Sequence, residues 1–257
     1  MNRQLKSKTI VFAHGLFVTA KSWEEWVPFF EAKGYTCHTP ANPYHEGTPQ
    51  EMWNNTPKEL GMVTFEDLVE HLSRFIDTLP EKPIVIGHSL GGLVVQKLVE
   101  LRKAEAGVCI DGAAPAGIIT TKWSFLRANI PILNPLKGDS VFYPTKKWFH
   151  YAFGNTMTRA ESDKVFDKLV VPESRNIPRG TTKEFAKIDF TKPHAPLLFI
   201  AGEKDHIIPK ELNIKNFEAY EDPNSVRNFK EFENRGHYIC GDKNWEEVAD
   251  YVYQWLN

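Results

Sequence analysis

Apolar positions along the chain fall into two patterns, short runs rich in β-branched residues and longer stretches with an apolar residue every third or fourth place. Thr9 to His14 is the first short run and predicts a strand. A helix is expected from near Ser22, because Ser22 and Glu25 have the spacing of a capping box and Gly34 follows the helix end. Tyr35 to Thr39 predicts a second strand. Asn42 to Gly61, with prolines and glycines crowding its first half, reads as a surface excursion without regular elements.

Beyond Thr64 the residues Phe65, Leu68, Val69, Leu72, Phe75, Ile76 and Leu79 form one apolar stripe that ends before Pro80, the clearest amphipathic helix in the chain. Pro83 to Gly87 is apolar throughout, as expected of a strand covered on both faces in a parallel sheet, and a helix follows from about Leu90 to Lys103. Val108 to Gly112, Leu197 to Ala201 and Val226 to Phe232 complete the strands, with helices over Lys210 to Tyr220 and Trp245 to Leu256. This alternation predicts an α/β fold, a mostly parallel sheet of about six strands flanked by helices.

One interval breaks the alternation. Ile118 to His194 is rich in aromatic residues and interrupted by Pro131, Pro135, Pro144, Pro172 and Pro178, which predicts a mostly helical insertion lying on the sheet. The expected division is a core of residues 1–118 and 195–257 with a helical cap at 119–194.

Composition narrows the function classes. With 257 residues and 42% hydrophobic content the chain can fill a sizeable core. Lys and Arg number 31 against 33 Asp and Glu, a net charge of -2, so the basic excess that a nucleic-acid partner demands is missing. The polar stretch Met1 to Lys8 and the short apolar run Ile10 to Phe12 suit neither a signal peptide nor a membrane span, and Cys37, Cys109 and Cys240 form no CxxC pair. A cytoplasmic protein with reduced, buried thiols and no metal site is expected.

Candidate chemistry centres on Gly87-His88-Ser89-Leu90-Gly91, placed where a buried strand passes into a helix. Glycines two residues either side of a serine permit a turn sharp enough to project its hydroxyl. The plainer reading, a helix-capping serine, explains neither glycine. A serine hydroxyl needs a base to take its proton and an acid to orient that base. His237, after the last predicted strand, is the candidate base, and Asp205, after the strand Leu197 to Ala201, the candidate acid. Asp111, at the end of another strand, is the rival acid; Glu203 and His206 merely flank Asp205. His14 and His88 are expected to support the site from below, and Cys240 to serve packing.

Taken together, His14-Gly15, the elbow at Ser89, Gly202-x-x-Asp205 and Gly236-His237 make the chain resemble a serine-type α/β-hydrolase, esterase- or lipase-like with a helical cap insertion. That resemblance implies an oxyanion hole from the backbone amides of Leu90 and Leu16, with Phe17 as the alternative second donor, and implies neither cofactor nor metal. The expected activity is hydrolysis of a small-molecule carboxylic ester with an apolar acyl or aryl part, whose pocket Phe17, Trp123 and Trp148 would line. The same residues also suit a thioester, lactone, amide or carbon–carbon bond, perhydrolysis, or a slow-turnover receptor-like protein. An aspartate nucleophile, as in epoxide hydrolases, is disfavoured by Ser89. The short segment Met1 to Ser7 leaves no room for the antiparallel hairpin with which larger members of that family begin.

Overall fold

A computed structural model describes residues 5–257. Met1 to Gln4, the first half of the polar opening stretch, lie outside the described residues. In chain order the elements are β1 (Thr9–Ala13), α1 (Trp26–Glu31), β2 (Thr36–His38), α2 (Pro49–Asn54), α3 (Phe65–Asp77), β3 (Ile84–His88), α4 (Leu90–Glu100) and β4 (Ala106–Ile110). The insertion then contributes α5 (Trp123–Leu133), β5 (Val141–Phe142), α6 (Lys146–Ala152), α7 (Arg159–Leu169), β6 (Glu173–Ser174) and α8 (Asn176–Gly180). The chain returns to the sheet with β7 (Leu197–Gly202), α9 (Lys210–Glu218), β8 (Arg227–Phe232) and α10 (Trp245–Leu256).

Six strands form one sheet in the order β2-β1-β3-β4-β7-β8, and every adjacent pair is parallel. This is the parallel sheet flanked by helices that the alternation of patterns predicts, and it agrees with the fold that the motif resemblance implies. Strand order reverses between β1 and β3, and in open parallel sheets the crevice at the carboxyl ends beside such a reversal is where ligands bind. Both strands deliver their ends to the site described below.

The two-residue period of the strands divides the core into two layers. Ile10 and Phe12 of β1, Ile84 and Ile86 of β3, and Leu198 and Ile200 of β7 face one side, where Trp23, Trp26 and Phe30 pack with Val248 and Val252 of α10. Val11, Val85, Cys109 and Phe199 face the other, against the apolar stripe of α3 and the buried residues of α4. Ala128, Ile132, Phe149, Ile177 and other residues of the insertion join this second cluster, so the insertion shares an apolar core with the sheet.

Several local expectations need correcting. Ser22 and Glu25 do not form a capping box: Thr19 caps a 3₁₀ turn over Ala20–Trp23, and α1 starts three residues beyond that turn. The excursion after β2 is not wholly irregular, because Thr48 and Glu51 form a reciprocal capping box with Pro49 in the first turn of α2. β4 starts two residues earlier than expected, and the insertion contains an antiparallel pair, Val141–Phe142 with Glu173–Ser174. The α3 stripe is as expected, with Phe65, Leu68, Val69, Leu72 and Ile76 buried and a Thr64–Asp67 capping box at its start.

Phe12 is fully buried, with its ring centroid 4.9 Å from Trp23, 6.3 Å from Trp26 and 6.0 Å from Phe30. Phe12→Ala is expected to cost about 3–5 kcal/mol, from lost transfer energy and the cavity left behind. Urea unfolding of the purified variant beside wild type measures it. A loss under 1 kcal/mol would contradict this account of the layer.

Candidate active site

Ser89 occupies the single residue between β3 and α4, with φ 59° and ψ -122°. A non-glycine residue at positive φ is strained, and the neighbouring backbone explains how it is held. The Ser89 N–H donates to the Ile110 carbonyl at 2.9 Å, and the Ser89 carbonyl accepts from the amides of Gly92 and Ala113 at 3.0 and 2.9 Å. The flanking glycines are required by contact: a Cβ on Gly87 would lie 2.2 Å from the Gly91 oxygen, and one on Gly91 would lie 2.2 Å from the Ala13 oxygen. The Ser89 side chain makes no helix-capping bond.

That hydroxyl lies 2.9 Å from His237 Nε2, and His237 Nδ1 lies 2.6 Å from Asp205 Oδ2. The structure therefore brings together Ser89, His237 and Asp205, residues carried by the carboxyl ends of β3, β8 and β7. All three are buried. Burial holds the His237 imidazole below its ordinary pKa, so it is neutral at rest and Nε2 can accept a proton once Nδ1–H is committed to the carboxylate. The ring of Phe153 stands edge-on to His237 at 4.6 Å.

Asp111, the rival acid, is also fully buried and adopts a positive φ of 44°. Its Oδ1 accepts the Gly202 N–H at 2.6 Å, while Oδ2 has no partner among the described residues. Burial raises the pKa of both carboxyls, and Asp111 is pushed further by the charge of Asp205. Asp205 has three donors, the amides of Ile207 and Ile208 on Oδ1 at 2.8 and 2.9 Å and His237 Nδ1–H on Oδ2. Two adjacent carboxylates cannot share a closed site cheaply, and with three donors against one Asp205 is the better placed of the two to carry negative charge.

The remaining candidates separate cleanly. His88 Nε2 donates to the His237 carbonyl at 2.8 Å, and burial and the neighbouring His237 hold its pKa at about 3. His14 hydrogen-bonds through Nδ1 to the Gly15 carbonyl at 2.9 Å. Glu203 accepts the Asn234 amide and His206 contacts the Tyr151 carbonyl, so neither serves Asp205 or His237. Burial raises the Cys240 thiol pKa well above its usual value, leaving a poor nucleophile.

A cavity of about 400 Å³ opens beside Ser89. Leu16, Phe17 and Leu90 line it, and neither Leu16 nor Leu90 donates its amide to another group among the described residues. Ile118, at the edge of the core, and Phe125, Ile132 and Leu133 from the start of the insertion supply apolar wall, and no charged side chain lines the cavity. Two expected wall residues are elsewhere. Trp123 is 70% exposed, since it sits on the outer face of α5. Trp148 stands behind Phe17, ring centroids 5.0 Å apart, with its indole N–H on the Ala128 carbonyl. Helical phase decided both, and residue type alone does not reveal it.

Geometry and sequence agree on the family. The chain belongs to the alpha/beta hydrolase family, whose model matches residues 10–251. Among solved structures it is similar to a monoacylglycerol lipase of Paleococcus ferrophilus, with 21% identity, a TM-score of 0.67, and coverage of 96% of this chain and 93% of that one. A variant of tomato methylketone synthase I complexed with β-ketoheptanoate is 19% identical over 98% of both chains, with a TM-score of 0.73. An extracellular alpha/beta-hydrolase from a Paenibacillus species is 19% identical, with a TM-score of 0.69 over 96% of this chain and 98% of that one. At these identities the likeness is one of fold. No curated protein sequence matches. Among the described residues no helix is long and apolar enough to cross a membrane.

Gly15 lets the loop after β1 approach the serine: a Cβ there would lie 2.8 Å from Ser89 Cβ and 3.1 Å from the His88 oxygen. Gly15→Ala is expected to lower stability by about 1–3 kcal/mol and to slow labelling of Ser89 by a fluorophosphonate. Melting and labelling rates unchanged from wild type would mean that the loop does not lie against Ser89.

Proposed function

We propose that this protein is a serine hydrolase that cleaves carboxylic esters through an acyl-enzyme. The observation that carries the reading is the unbroken hydrogen-bonded line Ser89–His237–Asp205 ending at an apolar cavity. His237 takes the Ser89 proton as Oγ attacks the ester carbonyl, and then gives it to the departing alcohol oxygen. Asp205 stabilises the imidazolium formed between these steps. The amides of Leu90 and Leu16, with Phe17 beside them, receive the developing oxyanion, where donors fixed in advance need no reorganisation. Water activated by His237 then releases the acid.

The insertion acts as a cap that closes the apolar end of the pocket. A wall without charged side chains favours a neutral acyl or aryl group, since burying a carboxylate there would leave it unpaired. Phe17 is the aromatic residue of this reading that reaches the cavity, with Trp148 fixing it from behind.

A p-nitrophenyl ester series from acetate to decanoate tests the proposal, with wild type and Ser89→Ala prepared in parallel. Wild type is expected to turn over and Ser89→Ala to fall to background. Asp205→Asn should lower kcat by about 10³–10⁴-fold, by analogy with acid replacement in a serine protease triad, while Asp111→Asn keeps most activity. The opposite ranking would make Asp111 the acid. If wild type hydrolyses no member of the series, simple ester hydrolysis is wrong.

A further inference from the structure

Away from Ser89, one ion pair is wholly enclosed. Glu173 of β6 and His45 of the loop after β2 meet with Oε2 and Nε2 3.0 Å apart, and both side chains have no solvent exposure. The pair joins the insertion to the core. Nothing in the pattern of the sequence marks it, because the two residues are far apart in the chain.

Hydrogen-bond accounting determines its protonation. His45 Nδ1 lies 3.0 Å from the Pro43 carbonyl, which can only accept, so Nδ1 carries a hydrogen. If Nε2 were bare, its lone pair would face a carboxylate oxygen in a site closed to solvent. His45 therefore holds the second proton and meets the Glu173 carboxyl as an imidazolium 3.0 Å away, a close contact of charge and not an aligned hydrogen bond. Burial opposes charge on His45, but the nearby charge of Glu173 outweighs it and raises the His45 pKa above its ordinary 6.5.

The other titratable groups facing the pair are Glu46, which adds to this rise, and His14 at the end of β1, held neutral with a pKa of about 3 by burial and by His45. Arg175, two residues past Glu173, spends its guanidinium on the carbonyls of Pro131 and Ile132.

Two routes lead from this pair to the loop Gly15–Phe17. On one side the His45 amide donates to the Asn42 carbonyl at 2.9 Å, and the Asn42 amide donates to His14 Nε2 at 3.1 Å. That leaves Nδ1–H of His14 to donate to the Gly15 carbonyl at 2.9 Å. On the other, Val171, two residues before Glu173, donates its amide to the Phe17 carbonyl at 2.9 Å. Trp53 braces the same segment by donating Nε1–H to the Val170 carbonyl at 2.7 Å. Phe17 has a φ of 66°, a conformation that surrounding contacts must hold.

We propose that Glu173 and His45 form a buried ion-pair latch by which the cap holds the oxyanion loop in its working geometry, making both positioning residues for the hydrolysis. The proposal rests on the hydrolase reading above for its catalytic half only.

The test uses the full chain as wild type, Glu173→Gln, Glu173→Ala and His45→Ala, with p-nitrophenyl ester kinetics and melting temperatures measured across pH 6–10. Glu173→Ala and His45→Ala should lower kcat by about tenfold or more with KM within about twofold, because a displaced donor weakens the transition state more than ground-state binding. Glu173→Gln should recover part of that loss, since its carboxamide N–H can donate to a bare Nε2.

The pH arm has a definite sign. The folded His45 pKa is raised, so its stabilisation is complete below 6.5 and is lost as pH rises through the folded value. The wild-type melting temperature should therefore fall relative to Glu173→Gln as pH rises. Parallel melting curves would overturn the held proton. A kcat within twofold of wild type in folded Glu173→Ala would overturn the positioning role. If wild type hydrolyses no ester, the hydrolase reading fails, and the melting curves still decide whether the latch exists.

Discussion

The turn at Ser89 is the constraint around which the sheet is arranged. A serine at φ 59° costs of order 1–3 kcal/mol, and it persists because its neighbours leave it no other place. Its amide and carbonyl are tied to Ile110, Gly92 and Ala113, and the chain on either side is pressed so closely that a methyl on Gly87 or Gly91 would overlap backbone oxygens. These contacts depend in turn on β1, β3 and β4 lying side by side with two apolar layers pressed against them. Sheet packing thus offsets local strain, and the strain aims a hydroxyl at an imidazole.

Electrostatics refines what packing assembles. Two buried carboxyls, Asp111 and Asp205, end neighbouring strands, and one negative charge is all so closed a site can hold. Hydrogen-bond donors decide where it rests: Asp205 has two amides and an imidazole N–H, and Asp111 one amide. The charge is favoured where it can fix the His237 tautomer, and the proximity of Asp205 opposes a second charge on Asp111. His14 and His88 follow the same logic at lower cost, staying neutral and giving their N–H groups to the carbonyls of Gly15 and His237.

How much of this could be read from the sequence followed the range of the interaction. The α3 stripe, the apolar strand before Ser89 and the flanking glycines are local patterns whose period or spacing follows from one element's geometry. Ser89, His237 and Asp205 could be grouped because each follows a strand of a parallel sheet, whose carboxyl ends converge. The Thr48–Glu51 capping box was equally local, and its signal was masked by the prolines around it. By contrast, which face of α5 carries Trp123, and that Trp148 backs Phe17 instead of lining the cavity, depends on how the insertion docks. The Glu173–His45 pair is the extreme case, since neither residue has a motif and their meeting is purely tertiary.

The insertion therefore contributes in two different ways. Its apolar residues wall the cavity, an effect that tolerates exchange among hydrophobic side chains of similar volume. Its segment Val170–Glu173 is held by polar contacts, an amide to Phe17, a carbonyl to Trp53 and a carboxyl 3.0 Å from His45, and the first two work only at one distance and one angle. A buried polar contact that loses its partner costs more than a trimmed apolar one, so the register between insertion and sheet is specified at this segment. The pocket wall can then vary in shape while the loop that faces Ser89 stays in place.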